Sequence, residues 1–178
     1  GSSALYFNKN NSRNTAVGYN AQGNASNATT GSDTYNSALG YEALRGGATP
    51  GGNSGKYNTA LGGLALRSNT SGDSVTASGY QALYSNTTGD QNTAYGSYSL
   101  KSNTIGDNNT ATGAGALFSN AANSRSTAIG YNAMFYADNQ TNGVETFNTA
   151  VGAEALMGGV TASGNTGRYN TALGDQAS

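Results

Sequence analysis

Cysteine and histidine are both absent from the sequence. Their absence excludes disulfides and thiolate metal sites, and removes the side chain that most often moves protons near neutral pH. Charged residues are scarce, at 10%, and 8 Lys+Arg against 9 Asp+Glu with no run of one sign leave no electrostatic footprint for nucleic acid or an anionic membrane. No apolar stretch approaches the roughly 20 residues a spanning helix needs, so membrane insertion within this segment is not expected. Large apolar side chains are also few, and a 35% hydrophobic content is thin for an ordinary globular core. A single proline and 27 glycines, with abundant Asn, Thr and Ser, would suit a disordered low-complexity chain. The strict periodicity of the sequence argues against that.

A motif close to Asn-Thr-Ala-x-Gly-x-x-Ala-Leu occurs nine times, starting at Asn14, Asn36, Asn58, Val75, Asn92, Asn109, Ser126, Asn148 and Asn170. Successive starts are 22, 22, 17, 17, 17, 17, 22 and 22 residues apart. The first six steps span 112 residues, and a shift of 112 lays Tyr35 on Phe147, Lys56-Tyr57 on Arg168-Tyr169, and Gly46-Gly47 on Gly158-Gly159. Residues 14–125 therefore form one six-coil block, 126–178 are part of a second, and 1–13 are read as a tag remnant and N-terminal lead-in or cap.

Each unit reads as a short extended run (Thr93-Ala94-Tyr95), a bend at Gly96, a second run (Tyr98-Ser99-Leu100) and a polar turn. A glycine fixed in every copy would cost a helix about 1 kcal/mol each time, whereas Gly and Asn suit tight corners. Coils stacked about 4.8 Å apart turn equivalent residues into ladders. Alanine fills the third motif position in all nine copies, Ala16 to Ala172, and a second Ala column follows at Ala43, Ala65, Ala82 and Ala116. These two columns are expected to line a thin interior between two strands. The residue after the first Ala (Val17, Leu39, Leu61, Ser78, Tyr95, Thr112, Ile129, Val151, Leu173) should face the other way. The Leu44, Leu66, Leu83, Leu100, Leu117 column also needs cover. One thin coil cannot easily bury all three columns, which points to association of several chains with closed symmetry. On the pattern alone, inner and outer columns are exchangeable.

The motif resembles the head repeat of trimeric autotransporter adhesins, the YadA-like head, over nearly the whole chain. It is also similar to tandem repeats of bacteriophage tail-fibre proteins, as in Gly79-Tyr80-Gln81-Ala82-Leu83-Tyr84-Ser85-Asn86-Thr87-Thr88-Gly89. The resemblance implies an all-β fold, a left-handed parallel β-roll or β-solenoid of about nine coils, packed as a homotrimer. It further implies an extracellular fibre on a bacterial cell surface, or alternatively a virion tail fibre, that attaches to a host-surface protein or glycan receptor. The units of this chain are longer than the usual YadA-like head repeat, and the 22-residue coils have no counterpart in it.

The long coils, with extra residues in 22–35, 44–57, 134–147 and 156–169, should project as bumps, and loops on rigid scaffolds are where binding residues concentrate. Their aromatic residues Tyr35, Tyr57, Phe135, Tyr136, Phe147 and Tyr169 are the candidate ligand contacts, by stacking on sugar rings or anchoring a protein. Alternatively, Tyr57 and Tyr169 only cover a corner. Asp73, Asp90 and Asp107 recur at one-coil spacing after glycine. Gly-Asp is an ordinary turn pair, so no metal site and no cofactor are expected. The triplets Asn69-Thr70-Ser71 and Asn86-Thr87-Thr88 match the glycosylation pattern, but the Asn/Thr repeat produces such triplets by itself, and ladder roles explain them better. Glu42 and Glu154 are equivalent positions in different blocks rather than a carboxylate pair for glycoside cleavage. The chain reads as structural and adhesive, not enzymatic. A passive spacer about 40 Å long and an ice-binding solenoid are the other readings, although only Thr110-Ala111-Thr112 has the regular Thr-x-Thr form within the motif columns.

Overall fold

The computed structural model describes residues 1–8, 13–24, 33–48, 53–137, 141–160 and 166–178. The fold is an all-β solenoid with one three-residue strand per motif: β1 (Thr15–Val17), β2 (Ser37–Leu39), β3 (Thr59–Leu61), β4 (Thr76–Ser78), β5 (Thr93–Tyr95), β6 (Thr110–Thr112), β7 (Thr127–Ile129), β8 (Thr149–Val151) and β9 (Thr171–Leu173). The strands form one parallel sheet in sequence order, and Ala pairs with Ala at every step, as in Ala77↔Ala94 and Ala94↔Ala111. From β2 to β9 each strand buries its central Ala, β1 leaves Ala16 half-buried at the end of the sheet, and the first and third residues turn outward, as pleating requires.

The second run is not a strand. Tyr98 and Leu100 have φ of 62° and 48°, and the equivalent Gln81 and Leu83 have 56° and 49°. These left-handed positions cost an L-residue roughly 1–2 kcal/mol each, and here they are occupied by Leu, Tyr and Gln rather than by the glycine and asparagine expected at corners. Bonds between coils hold them: the Tyr98 amide donates to the Tyr80 carbonyl at 2.9 Å, and the Leu100 amide to the Ala116 carbonyl at 2.9 Å. The consequence is in the packing. An extended segment would send neighbouring side chains to opposite faces, but the left-handed Leu lets Ala82 and Leu83 both point inward, each fully buried. The Leu column thus needs no second chain to cover it. Leu66, Leu83, Leu100 and Leu117 fill the coil interior together with both Ala columns.

The bend glycines serve a close approach of backbones. At Gly79, φ is +135° and a Cβ would lie 2.6 Å from the Gly96 carbonyl carbon and oxygen. Buried asparagines stitch the coils together. Asn86 Nδ2 donates to Asn69 Oδ1 at 2.8 Å, Asn103 Nδ2 to Asn86 Oδ1 at 2.8 Å, and Asn120 Nδ2 to Asn103 Oδ1 at 3.2 Å. In the motif's first column the Asn109 amide donates to Asn92 Oδ1 and the Val75 amide to Asn58 Oδ1, each at 2.9 Å. Asn69 and Asn86 are buried in this ladder, so the two acceptor-like triplets are structural. At the N-terminal end, Ser3 and Leu5 take the same left-handed conformations as Asn20 and Gln22. The Leu5 amide donates to the Ala21 carbonyl, so Gly1–Leu5 stacks as the second half of a further coil.

Candidate binding surfaces

The residue preceding each motif sits at a left-handed corner, with φ of 54° at Tyr35, 58° at Tyr57, 54° at Phe147 and 58° at Tyr169. Corner residues of consecutive coils stack. Tyr35 lies on Tyr57 at 5.5 Å with planes 15° apart, and Phe147 on Tyr169 at 5.3 Å and 7°. Arginine caps both pairs: the guanidinium of Arg13 lies 5.3 Å from the Tyr35 ring centre, and that of Arg125 lies 5.5 Å from Phe147. Each arginine is paired in turn with a carboxylate, Arg13 with Asp33 at 3.3 Å and Arg125 with Glu145 at 2.6 Å. The 112-residue shift therefore reproduces a whole arginine–carboxylate–ring–ring column. The arginine and the partner ring lie against Tyr35 and Phe147, whereas Tyr57 and Tyr169 are 58% and 72% exposed.

Phe135 and Tyr136 lie elsewhere. They pack on each other at 4.8 Å, and Phe135 stacks on Phe118 at 4.7 Å with planes 8° apart. The six aromatic residues singled out in the sequence thus gather at three places rather than one. Residues 25–32, 49–52, 138–140 and 161–165 of the expected projecting loops lie outside the described residues. Lys101, Tyr98, Phe118 and Asn132 border Phe135 and were not singled out. The signal for Phe118 was legible, because Phe135 follows it at the one-coil spacing.

Carboxylates along the stack are tied to the neighbouring coil. Asp73 Oδ1 accepts the Lys56 amide at 2.7 Å, Asp90 Oδ1 that of Asp73 at 2.7 Å, and Asp107 Oδ1 that of Asp90 at 2.8 Å. These are turn bonds made from one coil to the next. Among the described residues no three metal-ligating side chains converge. Among the described residues Glu42 is the most enclosed carboxylate. Arg67 Nε donates to it at 2.6 Å, Arg45 lies 3.7 Å away, and Asn20 Nδ2 donates at 3.4 Å. Burial alone would push this carboxyl up, but the hydrogen bond and charge of Arg67, aided by Asn20 and Arg45, hold it below its ordinary value. Glu154, its counterpart in the second block, instead accepts from Gln176 Nε2 at 3.1 Å.

The outer face of the sheet is a further exposed feature. A Thr/Ser column runs beside the third-position column, in which Val17 is 53%, Leu39 49%, Leu61 46%, Tyr95 64% and Leu173 78% exposed. Ser78 and Thr112 interrupt the column and Val151 is half-buried, so its exposed apolar residues fall in separate runs, the longest being Val17, Leu39 and Leu61, and a run of this kind marks an interaction surface. No protein-family model, no curated protein and no solved structure matches the chain.

Proposed function

We propose that this chain is a structural and adhesive segment of an extracellular fibre on a bacterial surface, wound left-handedly and assembled as a homotrimer, that attaches to a host-surface protein or glycan. The observation that carries the reading is the run of exposed apolar residues Val17, Leu39 and Leu61 on the sheet's outer face, with Tyr95, Ile129 and Leu173 exposed further along. Because the Leu column is already buried within each coil, this outer column is what association has left to cover. A ring of three chains about an axis parallel to the stack would bring the columns together without leaving an open edge. The stacked coils supply stiffness, and the aromatic surfaces supply contacts of the kind found at binding hot spots.

Binding of the labelled chain to host cells and to immobilised glycans tests the attachment role. Saturable binding is expected. Its complete absence, with the assembly intact, would reduce the segment to a spacer. Leu39→Glu with Leu61→Glu is expected to dissociate the assembly while leaving the coil spectrum by circular dichroism unchanged, since both side chains point out of the core.

A further inference from the structure

The coils from β5 to β7 carry a feature that the stack does not require. Tyr98, Phe118, Phe135 and Tyr136 form a continuous run of rings, at 6.4 Å, 4.7 Å and 4.8 Å between successive centres. Beside them the chain thins. Where the flanking coils present Ser97-Tyr98 and Tyr131-Asn132, the coil between has Ala114-Gly115. Gly115 has φ of +70°, close to the 56°, 62° and 51° of Gln81, Tyr98 and Asn132 at the same place in other coils. Backbone geometry therefore accepts a side chain there, and glycine leaves space into which Asn132 and Phe135 reach. The Asn132 side chain leans over it, since a Cβ on Gly115 would lie 2.2 Å from Asn132 Oδ1. The result is an open notch of about 440 Å³, bordered by Tyr98, Phe118, Tyr131 and Phe135, with the Asn132 amide and the Lys101 ammonium as its polar groups. That volume falls in the range of roughly 300–1,000 Å³ typical of small-ligand sites.

Two observations separate this notch from the scaffold. The corner columns repeat under the 112-residue shift, whereas Phe135 and Tyr136 stand opposite Gly23 and Asn24, so closing a coil does not require them. Lys101 differs from the capping arginines. Arg13, Arg45, Arg67 and Arg125 each face a carboxylate, while among the described residues Lys101 has no carboxylate partner. Its ammonium lies 5.4 Å from the Tyr98 ring centre and 5.2 Å from that of Phe118.

We infer that this notch is a binding site for a carboxylated sugar unit of an acidic glycan. Phe118 and Phe135 cover each other's faces, so the exposed Tyr98 and Tyr131 rings take the C–H face of a pyranose, the unneutralised ammonium takes its carboxylate, and the Asn132 amide can both donate to and accept from a hydroxyl. Coils two steps apart stand about 10 Å apart, which suits one ring-shaped group better than a face of a folded protein. The inference rests on the attachment reading for its biological use, but not for its chemistry.

The test is NMR titration of the intact assembly with a tetrasaccharide of alternating glucuronic acid and N-acetylglucosamine, with cellotetraose as the neutral control and an acidic peptide as the protein-like control. Expected are saturable shifts confined to Tyr98, Lys101, Phe118, Asn132 and Phe135, given by the acidic sugar alone. Affinity should fall about tenfold in Lys101→Met, the loss of one charge-assisted contact, and be largely kept in Lys101→Arg. Gly115→Gln, which restores the residue type of Gln81, should close the notch and abolish the shifts with the fold unchanged. The proposal is overturned if the tetrasaccharide gives no shifts, if cellotetraose or the peptide binds equally well, or if Lys101→Met binds as the parent does. Cell attachment that survives Lys101→Met and Gly115→Gln, together with no sugar shifts in the parent, would sink this site and leave the attachment reading standing. Sugar binding at the notch without any cell attachment would do the reverse.

Discussion

At the scale of single residues, the fold depends on positions where the backbone leaves no alternative. Gly79→Ala places a Cβ against the Gly96 carbonyl and forces an L side chain to a φ it rarely adopts. A loss of about 1–3 kcal/mol from backbone strain alone is expected, read as a lower midpoint in urea unfolding. Leu83→Ala empties a fully buried site and should cost about 2–5 kcal/mol by the same measurement. Asn86→Ala takes away the donor to Asn69 Oδ1 and one of the two acceptors of Asn103 Nδ2, which keeps its bond to the Gly106 carbonyl, at about 1–3 kcal/mol for the group left unpaired. Glu42 sets a pH dependence. Its folded-state pKa is depressed, so its pairing with Arg67 contributes fully above the unfolded value near 4.5 and is lost as pH falls through the lower folded value. Melting temperature should therefore drop more steeply on acidification below about pH 4.5 in the parent than in Glu42→Gln. Equal slopes would remove Glu42 from the account.

At the scale of the coil, neighbours are nearly interchangeable, because their bonds run between residues 17 apart through the central coils. Removing Asn92–Asn108 deletes one complete coil and leaves Thr110 to pair with Thr76. The shortened chain should fold, with stability lowered by about one repeat and its interface and the same circular dichroism shape. Removing only Asn92–Leu100 strands a turn without its strand, and should abolish cooperative unfolding. The coil is also where sequence and structure part company. The Ala periodicity was enough to place all nine strands and their register, since a small residue repeated in one column has to face a tight interior. The second arm was not legible, because nothing in Tyr98-Ser99-Leu100 marks two left-handed residues. That conformation is imposed by amides reaching the coils above and below, a cooperative effect that no single unit encodes. The same blind spot placed the Leu column outside the coil. The aromatic candidates were half legible: the 112-residue shift picked out the corner pairs, whereas the notch arises from what Ala114 and Gly115 lack.

For the whole molecule, a thin solenoid that buries its Ala and Leu columns by itself still exposes Val17, Leu39 and Leu61 in succession on its sheet, with Tyr95, Ile129 and Leu173 beyond them. A stiff stack with such a run of residues is suited to side-by-side assembly. The central claim is that the outer column closes between chains, and the mass in solution by light scattering across a dilution series tests it most directly. The account predicts a mass three times the 17.8 kDa of one chain, falling to a single chain in Leu39→Glu with Leu61→Glu. A parent protein that stays at 17.8 kDa throughout would contradict it.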